Sequence, residues 1–147
     1  MILSVIENGI LAGASFDVAL VKLPTRKHIG SVAYAQFARG NDLGNGKIVY
    51  PLLGIFAVIL VFGTLLVAWL IHAPIKVITP LVIASVLTII HSLCTAKAAP
   101  IMLSLAKTPD DAKILTKKLD TFSFWHTFRA IFQAATFIVL VWALLSV

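Results

Sequence analysis

The stretch IVYPLLGIFAVILVFGTLLVAWLIHAPI, residues 48–75, runs for 28 residues without an acidic or basic side chain. About 20 apolar residues suffice to cross a bilayer as an α-helix. Two more charge-free runs follow, Val77 to Ala96 (20 residues) and Ala130 to Val147 (18 residues). Ile2 to Leu23 makes a fourth apolar segment. It carries Glu7 and Asp17 and lacks both a basic leader and a small-residue cleavage site, so it reads as a retained helix rather than a signal peptide. The chain is 60% hydrophobic and only 12% charged, about half the charge of a typical soluble domain. A soluble enzyme and a disordered chain are therefore excluded. The expected fold is all-α: one domain, residues 1–147, built as a bundle of four transmembrane helices at about 2–23, 48–72, 77–99 and 122–147. The alternating ten-residue segments of a membrane β-barrel are absent.

The basic residues set the expected orientation. Eleven of the twelve lie in or beside two segments, 24–47 and 100–121, and only Lys76 lies in the link between the second and third spans. Positive residues stay on the cytoplasmic side, so both termini are expected outside and both long segments in the cytoplasm. The net charge of +6 is dispersed rather than gathered on one face, which argues against a nucleic-acid partner. Membrane lipid is the expected surrounding. A single cysteine, Cys94, excludes a disulfide framework and a multi-cysteine metal site.

The long segments carry their own structure. Ile29, Val32, Ala33 and Phe37 recur at helical spacing, which predicts a cytoplasmic interfacial helix over about 28–38, separated from the first span by Pro24. Gly40 and the run 41–46 supply turn formers that end it. In the second segment Thr108-Pro109-Asp110-Asp111 reads as a helix start, with Thr108 as cap and Pro109 at the first position. One helix from there into the fourth span is expected, a surface on which a partner of a membrane complex could dock. Ala73-Pro74-Ile75-Lys76 makes the second and third spans an antiparallel pair.

Ionisable side chains at membrane depth are expensive and demand a partner or a role. In this topology Asp17, His91, His126 and Arg129 fall in one band on the order of 10 Å thick at a rise of about 1.5 Å per residue. His126, Arg129 and Gln133 share one face of the fourth span, and Thr88, His91 and Thr95 one face of the third. Gly9 and Gly13 form a small-residue stripe that continues to Asp17 and draws it toward the interior. Such stripes also permit a homo-oligomer. The expected site is a polar pocket between the inner ends of the first, third and fourth spans, with Tyr50 and Pro51 at its level. The plainer reading is a structural ion pair between Asp17 and Arg129 that only holds helices in register.

Two chemistries fit the pocket. His91 and His126 could ligate haem from facing helices, as in other bundles, making the chain a non-enzymatic cofactor binder. Alternatively the histidines act as acid and base on a lipophilic small molecule, with Arg129 stabilising a phenolate or enolate. No motif for phosphate binding, zinc hydrolysis or a nucleophile elbow is present.

The residues resemble those of the anthrone oxygenase-like family of small four-helix membrane proteins. The resemblance lies in Gly9-x-x-x-Gly13, Pro24, Phe37, Tyr50-Pro51, and the aromatic-x-x-x-(Asn or His)-x-x-Arg pattern of Phe122 to Arg129, with Phe122 where tryptophan is common. It implies oxidation of an aromatic substrate by molecular oxygen without metal or organic cofactor, and assigns roles to His126 and Arg129. With the co-level cluster it makes an oxygenase or redox enzyme the leading expectation, His126 or His91 taking the proton and Asp17 orienting one of them.

Overall fold

In a computed structural model describing residues 1–147, the chain is all-α and contains no strand. The elements are α1 (Ile2–Phe16), α2 (Leu23–Asn41), α3 (Gly46–Leu70), α4 (Ile75–Ser104) and α5 (Ala112–Leu145). A wider helical turn, Asp17–Lys22, joins α1 to the start of α2 without a break, and the path over Ile2–Asn41 is interrupted only at Gly30. This path and α3, α4 and α5 are the four units long and apolar enough to cross a membrane. Of 126 main-chain hydrogen bonds, 111 close within helices, as a hydrocarbon surrounding requires.

Burial is inverted relative to a water-soluble bundle. Ser4, Asn8, Ser15, Thr88, His91, His126, Gln133 and Thr136 are buried, while Leu20, Trp69, Ile71 and Leu145 stand largely exposed. Small residues on the inner faces, among them Ala84, Ala98, Ala130 and Ala143, let α4 and α5 approach closely. The interior is layered. One apolar cluster surrounds Val61, Leu81 and Leu140 near the termini, and a second surrounds Tyr34, Leu105, Leu115 and Leu119 at the other end. The polar residues lie between them.

Both termini lie at the same end, where Met1 and Val147 line one groove with His72, Ala73 and Pro74. The α3–α4 turn there is tight. His72 takes a left-handed conformation (φ 52°), its N–H bonds Trp69 O, and the Ala73 N–H reaches back to Ala68 O. This is a Schellman ending, followed by Pro74.

Two local expectations need correction. Pro24 does not separate the first span from the helix after it. It sits in the first turn of α2, where a missing N–H is harmless, and the preceding turn is wound so that Leu23 N–H bonds Val18 O, five residues back. The break falls at Gly30, with φ 83° and ψ 160°, a region open in practice only to glycine. Residues 31–41 are helical beyond it. Thr108 and Pro109 do not start α5 either. Asp111 is the cap, its carboxylate accepting the Ile114 N–H at 2.9 Å, and the Thr108 hydroxyl turns back to Ser104 O at 2.8 Å. The continuous final helix holds: α5 has 34 residues, roughly 50 Å at about 1.5 Å per residue.

The Gly30 turn folds residues 31–41 onto the ends of α4 and α5. Tyr34, Ala35 and Ala38 are buried against Leu105, Leu115 and Leu119. Arg39 fastens the contact, donating to Leu105 O at 3.0 Å and Thr108 O at 2.6 Å and pairing with Asp110 at 2.6 Å. Arg26 pairs with Asp120 at 2.5 Å, and Ser31 meets Thr116 at 2.7 Å. Gly30→Ala, strained at a glycine-only conformation, is expected to destabilise the protein by about 1–3 kcal/mol. Gly40→Ala, at a helical glycine with open space around it, is expected to be neutral or mildly stabilising. Thermal unfolding of the two variants in the same detergent checks the contrast.

Candidate functional site

Hydroxyls in the polar layer satisfy themselves. Ser85, Thr88, Thr95 and Thr136 each donate to the carbonyl four residues earlier, at 2.8–2.9 Å. This is the usual recourse of a helical Ser or Thr away from water. Between α1 and α5 the layer is cross-linked: Gln133 Nε2 donates to Asn8 Oδ1 at 2.8 Å, Asn8 Nδ2 to Ser4 O at 2.8 Å, and Ser4 Oγ to Leu60 O of α3 at 2.7 Å. Gly9 allows this approach, since a Cβ there would lie 3.0 Å from the Phe137 ring. Gly13 has nothing within 4 Å and plays no such part.

Buried polar atoms without a hydrogen-bonding protein partner include Glu7 Oε1, Arg26 Nη1 and Gln133 Oε1, and also atoms of the expected site. Both ring nitrogens of buried His91, Nδ1 of His126 and Nε of Arg129 are shielded and meet no hydrogen-bonding protein group. His126 Nε2 lies 3.1 Å from Ser15 O. A carbonyl only accepts, so a neutral His126 carries its proton on Nε2 and leaves Nδ1 with a free lone pair. The Phe122 ring lies beside this imidazole, with ring centres 5.2 Å apart. Arg129 reaches Ser15 Oγ at 3.5 Å and forms no ion pair. The three ion pairs in the molecule are Lys22–Asp17, Arg26–Asp120 and Arg39–Asp110.

Asp17 is therefore not part of the site. It pairs with Lys22 at 2.8 Å, and its side chain is 47% exposed. Two physical reasons account for this. Positions four apart precess by about 40° per step around an α-helix, so the row beginning at Gly9 has rotated away from the interface by Asp17, and the buried row runs through Asn8, Leu11, Ser15 and Val18 instead. The wide turn also lines up residues five apart, which are about 140° apart in an ordinary α-helix, and so brings Lys22 to Asp17.

Two cavities meet at Arg129. The larger, about 470 Å³, lies between α3 and α4 and is lined by Tyr50, Pro51, Gly54, His91, Thr95 and Arg129, with Ile55, Val58 and Ile59 on its apolar wall. The smaller, about 170 Å³, carries His126 and Phe122 together with Asp42, Gly46 and Lys47 from the turn before α3. Tyr50, Pro51, Ala99 and Arg129 line both. The cavities are thus framed by α3, α4 and α5 rather than by the first span, of which only Val18 takes part. His91 and His126 open on different cavities, not across one slot as two axial ligands of a haem would. Gly46 is needed in place: a Cβ there would lie 2.9 Å from the Tyr50 ring and 3.0 Å from Asn41 O.

Asp42 escaped the sequence reading. It is half-buried beside the smaller cavity, and burial pushes its carboxyl above the ordinary carboxylate range, against the pull of Lys22, the Asn41 hydrogen bond and Arg129. Comparison with protein-family models, with curated proteins and with solved structures returns no match for this chain.

An acid whose folded-state pKa is raised holds its proton longer in the folded protein. Stability is then lost as pH rises from the unfolded value, 3.8, through the raised one. Asp42→Asn is expected to raise the unfolding temperature at pH 7, and the gain should vanish below about pH 3.8. Thermal scans of both proteins across that interval give the measurement.

Proposed function

We propose that this protein is a small integral membrane oxygenase acting on a lipophilic, aromatic carbon acid. The observation that carries the reading is the half-buried Arg129, free of any ion pair and with its Nε unpartnered, at the junction of two cavities lined by His91 and His126. A guanidinium held without a counter-ion at membrane depth is costly, and an oxyanion developing on a substrate would supply the missing charge. The loop-bearing end, with its eleven basic residues, faces the cytoplasm on this reading, and residues 31–41 lie along that interface.

The chemistry rests on the geometry of the protein groups. His126 Nδ1, or His91, removes a proton from an activated CH₂ group flanked by aromatic rings and a carbonyl. The electron pair moves onto the carbonyl oxygen, and Arg129 holds the resulting enolate. This electron-rich carbon reduces molecular oxygen. One oxygen atom enters the product as a new carbonyl, the other leaves as water with the two hydrogens of the CH₂ group, and no external reductant is consumed. The fixed Ser15 carbonyl at Nε2 favours the protonated imidazole that forms on the way. The resemblance to the anthrone oxygenase-like family supports the same assignment of His126 and Arg129.

Purified protein in phospholipid nanodiscs should oxidise anthrone with uptake of one molecule of O₂ per product. His126→Gln and Arg129→Gln should each lower turnover by about 100-fold or more. Asp17→Asn should leave it unchanged, because Asp17 pairs with Lys22 away from the site. Folded His126 and Arg129 variants with full turnover contradict this mechanism. A Soret band in the purified protein that disappears in His91→Ala would instead support haem ligation.

A further inference from the structure

The inner stretch of α3 stands away from the rest of the bundle. The buried residues of α3 are Ala57, Val61 and Ala68, so nothing between Gly46 and Phe56 is buried. The larger cavity occupies the gap this leaves. Its outer wall is formed by membrane-facing side chains, Ile55 and Ile59 being 57% and 59% exposed, and its inner wall by His91, only 4% exposed, with Arg129. The gap thus runs from lipid-facing side chains of α3 to His91 and Arg129.

Gly54 marks the gap. A glycine inside a helix costs stability and is kept where close approach or an unusual φ demands it. Neither applies here: no atom lies within 4 Å of the position a Cβ would take, and the residue is helical. Since Gly54 lines the larger cavity, its missing side chain preserves cavity volume. At about 470 Å³ the space is of the size that holds small organic ligands.

We infer that the α3–α4 gap is a binding site open to the side of the bilayer, occupied by a lipophilic anion whose apolar body lies along Gly54 and Ile55 and whose acidic oxygen reaches Arg129. The occupant is argued from charge: Arg129 and His91 line the cavity among apolar walls, and no protein carboxylate pairs with the guanidinium, which suits an anionic head on an apolar body and not a neutral acyl chain. The inference rests on the reading of Arg129 as an oxyanion holder, and adds the class of ligand and the side from which it comes.

Binding can be measured apart from reaction with anthracene-9-carboxylate, a fluorescent lipophilic anion without a reactive CH₂ group, and its neutral counterpart 9-methylanthracene. The full chain in phosphatidylcholine nanodiscs should bind the carboxylate about tenfold or more tightly than the neutral probe. Gly54→Leu, whose Cβ meets no atom within 4 Å and whose branched end extends into the gap, should weaken carboxylate binding by about tenfold or more, as should Arg129→Gln. Gly54→Ala, the smaller change, should fold at least as well as the parent and weaken binding less. Carboxylate binding indifferent to Gly54→Leu, equal affinity for the neutral probe, or a second copy of the chain cross-linked into the gap through α3 would overturn the inference. Gly54-sensitive binding without anthrone turnover would sink the oxygenase reading and leave the site standing. Turnover indifferent to Gly54→Leu would do the reverse.

Discussion

A charged guanidinium placed inside an apolar bundle without a carboxylate beside it is the constraint on which the rest of this structure depends. An isolated cation in an apolar interior is tolerated only with hydrogen-bonding groups or a counter-ion in reach. The protein gives Arg129 a distant Ser15 hydroxyl and two cavities. Three acids are committed to other cations, Asp17 to Lys22, Asp110 to Arg39 and Asp120 to Arg26, and Asp42 lines the smaller cavity with its carboxylate disfavoured by burial. Hydroxyls nearby spend their protons on their own helices. An ion pair serving only to hold helices in register would have left no such remainder.

The surrounding architecture keeps this remainder in place. Two apolar clusters bracket the polar layer, and the Asn8–Gln133 bond ties α1 to α5 within it. At the loop-bearing end, the turn at Gly30 sends residues 31–41 back over α4 and α5, where Arg39 clamps them to Leu105, Thr108 and Asp110. That docking fixes the start of the following turn, so Asp42, Gly46 and Lys47 close one wall of the smaller cavity. A fold feature outside the polar layer thereby shapes the cavity that His126 lines.

Much of this was legible in the residues. Three long charge-free runs and the apolar segment from Ile2 to Leu23 gave the four helices, because hydrocarbon thickness leaves little choice of length. The spacing of His126, Arg129 and Gln133 put them on one inward face of α5, which holds because they are three and four apart within two turns. The same logic failed for Asp17, eight residues from Gly9, where precession and the wide turn after Phe16 moved it to the surface. Pro24 gave a strong local signal that the wide turn absorbs, whereas Gly30, in an unremarkable polar stretch, gave none. Asp42 and Gly54 were not legible either, since their meaning comes from tertiary placement: one from a turn folded over a cavity, the other from the space beside a helix.

The unpaired state of Arg129 is tested most directly by an experimental structure of the full chain in lipid nanodiscs. There α3 should stand off α4 below Ala57, with an anionic group from a lipid or added ligand against the guanidinium and no protein carboxylate in contact with it. A structure with Asp17 or Asp42 bonded to Arg129, or with α3 packed flush on α4 and the gap closed, would contradict it.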